Sequence, residues 1–161
     1  MRQSTKDLLI KTENHLNGVS DQLIDTITKI INGDWGLSKS NTSVKVDSLE
    51  IEVFTDGYRL VLYPMDNSST QLGYKNLLKD YSDGLLSDVD LNPNLDLYDF
   101  KSDVDNKDLD EFDKAQREIF VKWFVDCWNK TDNKKLTKPI FLMFHDNGDS
   151  LDLRTNKWTR D

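Results

Sequence analysis

The chain has 161 residues, enough for one domain that buries roughly two-thirds of its unfolded surface without disulfide or metal staples. Four Trp, seven Phe and five Tyr supply large apolar bodies and argue against general disorder although 31% of residues are charged. The formal net charge of -8 sets the whole-molecule field against nucleic acid and anionic lipid and in favour of a basic partner. A single cysteine, Cys127, excludes an intramolecular disulfide and a multi-cysteine zinc site, and makes a reducing cytoplasm the simplest setting. The apolar run Leu8 to Ile10 is too short for a signal peptide, and no 18-residue apolar span exists to cross a membrane.

In chain order, Leu9, Leu16, Val19, Leu23, Ile27 and Ile30 recur at helical spacing, which predicts a helical segment from about residue 5 to 32. Gly18 and the capping run Ser20-Asp21-Gln22 leave open one helix or two with a bend near residue 18. Asn32-Gly33 supplies the stop. Leu49, Ile51 and Val53 then alternate with Glu50 and Glu52, and Tyr58, Leu60 and Leu62 alternate after Thr55-Asp56-Gly57, which reads as a β-hairpin. Pro64 is expected to end its second strand. Gln71 to Lys75 allows a third short strand, followed by a helical turn through Leu77 and Leu78.

Acidity is local. Twelve acidic residues between Asp80 and Asp113 face only Lys101 and Lys107, so that stretch is net -10 and the remainder +2. Leu85, Leu86, Val89, Leu91, Leu95, Leu97, Tyr98, Phe100, Val104 and Leu109 run through it, more apolar residues than a solvated tail carries. It is therefore expected to lie on the domain with its leucines and aromatics buried and its carboxylates outward, unless it orders only on binding. A last helix follows, capped by Asp108 or Asp110, with Phe112, Ala115, Ile119, Trp123 and Cys127 on one ridge and Phe120, Phe124 and Trp128 beside it. Pro139 to Phe144 reads as a strand, Asp146-Asn147-Gly148-Asp149 as a tight hairpin turn, and Leu151 and Leu153 as the returning strand. The fold class is α+β. A single domain over residues 1–161, with an acidic insert at about 80–113, is expected to pack an antiparallel sheet of two hairpins against the N-terminal helical segment and the C-terminal aromatic-rich helix.

No motif names a reaction. His15, His145 and Cys127 show no zinc-ligand spacing, and no Gly-rich phosphate loop is present. His145-Asp146 beside Ser150 lacks the nucleophile turn that a triad needs. Asp88-Val89-Asp90-Leu91-Asn92 copies the first half of a calcium loop, but Pro93 stands where the loop requires Gly and Asp99 where it requires Glu. The expectation is accordingly no enzyme, no cofactor and no metal. A metal-dependent or carboxylate-based enzyme of unknown substrate is the alternative.

The positive reading is a binding module whose acidic surface meets a basic protein, with Asp83, Asp88, Asp90, Asp96, Tyr98, Asp99, Phe100, Asp103, Asp105 and Asp108 as the partner-binding residues. Clustered carboxylates accelerate encounter with a cationic partner, and interleaved aromatics supply anchors. In its small size, its acidity, the absence of catalytic motifs and the terminal hairpin from Phe144-His145-Asp146-Asn147-Gly148 to Trp158, the chain resembles the immunity proteins of bacterial polymorphic and contact-dependent toxin systems. That resemblance implies a cytoplasmic inhibitor that neutralises a cognate secreted toxin domain, its acidic surface covering the toxin's basic groove.

Overall fold

The computed structural model describes residues 3–87, 106–145 and 147–160. Helix α1 spans Gln3–Ile31 without interruption. Gly18 sits on its exposed side with nothing within 4 Å of where a Cβ would stand, and the helix runs through it as one element. The end is a Schellman motif: Gly33 takes φ 98°, its N–H donates to the Ile30 carbonyl, and the Asp34 N–H donates to the Lys29 carbonyl. The Trp35 indole N–H then donates back to the Ile30 carbonyl at 2.8 Å and folds the exit onto the helix end.

Strands β1 (Ser48–Phe54) and β2 (Arg59–Met65) form the expected hairpin, Phe54 opposite Arg59. Its loop is one residue longer than the sequence suggests, because Tyr58 leaves the strand at φ 60° beside Gly57 at φ 121°. Pro64 does not end β2. Its carbonyl accepts from the Leu72 N–H, so the polar edge of Pro64 faces the following segment and its missing N–H takes nothing from the β1 ladder. The third strand shrinks to Lys75–Asn76 (β3), with a separate bridge between Met65 and Gln71. A 3-10 turn, Lys79–Tyr81, begins just past the predicted Leu77 and Leu78, both of which are buried.

Helix α2 spans Asn106–Asn129, so Asp108 and Asp110 lie inside its first turns and do not cap it. Strands β4 (Ile140–Phe144), β5 (Asp149–Asp152) and β6 (Lys157–Arg160) follow as a meander. The six-stranded sheet has the order β3-β2-β1-β4-β5-β6. It is mixed, which corrects the expected antiparallel sheet: β1 and β4 are parallel, with Leu49 opposite Ile140 and Val53 opposite Phe144. The reason is the direction of α2. Its N-terminal part lies near the β1–β2 loop, where Asp113 acts on Tyr58, and it carries the chain back to the start of β1, so β4 must run the same way as β1.

Alternation along the strands sends Leu49, Ile51, Val53, Leu62, Ile140 and Leu142 to one face, all with no exposed surface. There they join Leu16, Leu23, Ile27 and Ile30 of α1 and Phe120 and Phe124 of α2 in one core. Phe120 stands at its centre, with Tyr58, Trp123 and Phe144 within 4.9 to 6.0 Å of it, ring centre to ring centre. The two helices are tied by polar bonds as well. The Trp123 indole donates to Ser20 Oγ at 3.0 Å, and the buried Gln116 amide donates to the buried Thr12 hydroxyl at 3.2 Å. Burial of Leu85 and Leu86 fulfils the expected inward turn of the acidic stretch at its start.

Candidate functional site

The acidic stretch enters the described structure at its two ends, and the fold brings those ends to the same place. Asp83 is exposed in the turn after the 3-10 segment, and the next residue, Gly84, lies against Gly57 of the β1–β2 loop. The contact is backbone to backbone: the Leu86 N–H donates to the Gly57 carbonyl at 2.8 Å, and a Cβ on Gly84 would stand 2.4 Å from that same oxygen. Asp56 is exposed in the same loop. From the other side come the first turns of α2, with Asp110 and Glu111 exposed and Asp113 half-buried. Burial holds the Asp113 carboxyl above the usual carboxylate range; Arg117 draws it down and Asp110 pushes it further up. Asp113 in turn faces Tyr58, whose phenol is pushed up chiefly by its own burial, against the pull of Arg117.

Asp56, Asp83, Asp110, Glu111 and Asp113 thus border one end of the molecule, around a loop whose Tyr58 holds an uncommon left-handed backbone. Of the residues expected to bind a partner, Asp83 is placed there directly. Asp108 belongs to the first turn of α2. Asp88, Asp90, Asp96, Tyr98, Asp99, Phe100, Asp103 and Asp105 lie outside the described residues, as does the partial calcium-loop sequence. Among the described residues no three His, Cys, Asp or Glu side chains converge on one point, and no helix is long and apolar enough to cross a membrane.

Two further groupings are formed only in three dimensions. On the sheet face away from the helices, His145 Nδ1 lies 2.5 Å from Glu52 Oε1, a pairing made possible by the parallel register of β1 and β4. The imidazole stacks on Phe54 at 4.7 Å, and the Arg59 guanidinium lies over the same Phe54 ring at 4.4 Å. Ser150 takes no part: its hydroxyl pairs with Thr159 Oγ1 at 2.7 Å, so His145 and Ser150 do not form a nucleophile and base.

The other grouping is a groove of about 760 Å3 between α2 and the β5–β6 end of the sheet. Val121, Val125, Phe144 and Trp158 provide its apolar lining, and Lys114, Arg117, Glu118 and Asp126 are among its charged residues. Arg117 also stands over the Phe144 ring at 5.2 Å. No local pattern announces this groove, because its walls come from segments far apart in the chain; the one sign in the sequence is an aromatic, Trp158, just past a polar turn. Comparison of the chain with known protein families, with curated proteins and with solved structures finds no match.

Proposed function

We propose that this chain is a non-enzymatic protein-binding module, an immunity protein that acts in the bacterial cytoplasm and neutralises a cognate toxin through its acidic surface. The observation that carries the reading is the concentration of charge in one stretch of the chain. The stretch Asp80 to Asp113 is net -10 in a chain of net -8, and its described ends meet at one end of the molecule with Asp56 between them. Such a surface draws a basic partner by long-range attraction and repels wrong partners of like charge. Its rigid backing is the Gly57–Gly84 contact and the N-terminal turns of α2.

The test is recovery of the partner from the native host with tagged full-length protein at low and at moderate salt, followed by mass spectrometry. The expected result is one basic protein, bound more weakly as salt rises because the attraction is screened beyond about 8 to 10 Å. Changing Asp88, Asp90, Asp96 and Asp99 together to Asn abolishes its recovery if the acidic surface is the site. Capture that ignores both salt and those four changes refutes the reading, as does purified partner whose toxicity is untouched by a stoichiometric amount of this protein.

A further inference from the structure

Asparagine followed by glycine is the pair most open to attack of the backbone on its own side chain, because glycine has no Cβ to crowd its amide nitrogen. The chain holds three such pairs, Asn17-Gly18, Asn32-Gly33 and Asn147-Gly148. All three asparagines are exposed, so exposure does not separate them. Backbone geometry does.

Asn17-Gly18 lies in the middle of α1, where helical backbone turns the Gly18 nitrogen away from the Asn17 side chain and commits its N–H to the carbonyl one turn earlier. Asn32-Gly33 is fixed by the helix end: the Asn32 N–H donates to the Thr28 carbonyl at 3.2 Å and the Gly33 N–H to the Ile30 carbonyl at 3.0 Å. Attack at either pair requires that part of α1 to open first. Asn147-Gly148 stands in the loop between β4 and β5. Among the described residues the Gly148 N–H donates to no acceptor, and nothing lies within 4 Å of where a Gly148 Cβ would stand. The Asn147 side chain is already turned over that backbone, since its Oδ1 accepts from the Asp149 N–H at 3.3 Å. That donor faces the oxygen on which negative charge develops when Asn147 Cγ is attacked, and the bond tightens as the charge appears.

We propose that Asn147 is a self-modification site, at which the folded protein deamidates spontaneously and ahead of its other Asn-Gly pairs. The Gly148 amide gives its proton to solvent, and its nitrogen bonds to Asn147 Cγ. The Cγ–Nδ2 bond breaks, and the leaving nitrogen takes a proton from solvent and departs as ammonia. Water then opens the succinimide: addition at Cγ gives aspartate, addition at the main-chain carbonyl carbon gives isoaspartate, and in both cases the Gly148 nitrogen regains a proton. The groove under α2 changes with it. Its described charged lining balances, Lys114, Arg117 and Lys122 against Glu118, Asp126 and Asp149, with Asn147 in the same wall, and either product adds a carboxylate that makes the lining net negative. Isoaspartate also lengthens the main chain between β4 and β5 by one carbon, next to the register in which Met143 faces Ser150. The site shares no residue with the stretch Asp80 to Asp113, so it holds or fails independently of the toxin-neutralising surface.

The experiment is timed incubation of the folded full-length protein in isotopically heavy-oxygen water at mildly alkaline pH, then acid quench, digestion and mass spectrometry of the three Asn-Gly peptides. Position 147 gains the mass of an amide becoming a carboxyl with one heavy oxygen, in two peptides of equal mass that separate by chromatography. Positions 17 and 32 lag by at least about tenfold, because each waits on local opening of α1. In urea the three rates converge, which assigns the difference to the fold. Gly148→Ala, made where open space accepts the added methyl, slows the reaction at position 147 several-fold and leaves positions 17 and 32 unchanged. The proposal is overturned if position 147 gains no mass, if position 17 or 32 reacts as fast in the folded protein, if the same ranking persists in urea, or if Gly148→Ala leaves the rate at position 147 as it was.

Discussion

Replacing Gly84 with alanine probes the contact that fastens the acidic stretch to the sheet. Gly84 takes φ 120°, a backbone that an L-residue holds only under strain of about 1 to 3 kcal/mol. The new Cβ would also stand 2.4 Å from the Gly57 carbonyl oxygen, 2.6 Å from its carbon and 2.9 Å from its Cα. None of these is the far end of a flexible side chain. Gly57 itself sits at φ 121° in a loop clamped between β1 and β2, so the neighbour yields only by distorting the hairpin or lifting the Leu85–Leu86 segment. Overpacking of that kind costs about another 1 to 3 kcal/mol, which brings the expected loss to roughly 2 to 6 kcal/mol. Lifting the segment would moreover expose Leu85 and Leu86 and break the 2.8 Å bond from the Leu86 N–H to the Gly57 carbonyl. Urea unfolding followed by tryptophan fluorescence measures the change, with an unchanged slope required for the comparison. A midpoint within about 0.5 kcal/mol of the parent would mean that the two glycines do not touch, and the account of how the stretch is fastened would fall.

Gly18→Ala has the opposite sign: at an exposed position inside α1 with no neighbour within 4 Å, it stabilises by about 0.5 to 1 kcal/mol, read from the same urea curves. Asp113→Asn tests the buried carboxyl beside Tyr58. Because its pKa is raised in the folded state, the native fold favours the protonated form, and that contribution fades as pH rises through the folded pKa. The asparagine variant therefore has a higher thermal midpoint than the parent at neutral pH, and the difference vanishes below about pH 3.5, where the carboxyl is protonated both folded and unfolded. A gain that persists unchanged into acid would assign the effect to something other than this charge.

Local pattern was readable wherever one element met the core alone. The 3.6-residue recurrence from Leu16 to Ile30 and the alternation of Leu49, Ile51 and Val53 each named their buried face correctly, because burial is decided residue by residue along a single element. The parallel join of β1 to β4 was not readable in that way. It depends on the direction in which α2 returns the chain, and no residue of either strand records that direction. Pro64 misled for a related reason: whether a missing N–H matters depends on which neighbour the residue faces, and here it faces a loop. Tyr58 hid because an aromatic in the left-handed region has no sequence signature, unlike the Gly57 before it. At the site, composition alone found the acidic stretch and with it Asp83. The Glu52–His145 pair and the Trp158 groove require registers between strands and helix that are distant in sequence.

The parallel pair at the middle of the sheet also bears on how the molecule assembles. Leu49 and Ile140 are roughly ninety residues apart in the chain, whereas the β1–β2 hairpin and the β4–β5–β6 meander close over short loops. Each flank can form early from local contacts, but neither covers its own inner face, since Ile51 and Leu142 lie side by side under both helices. The seam between them is the high-contact-order step. It is also what makes the two halves one cooperative unit: loss of the β1–β4 join uncovers the core of both flanks together, so the protein has no stable half to retreat to.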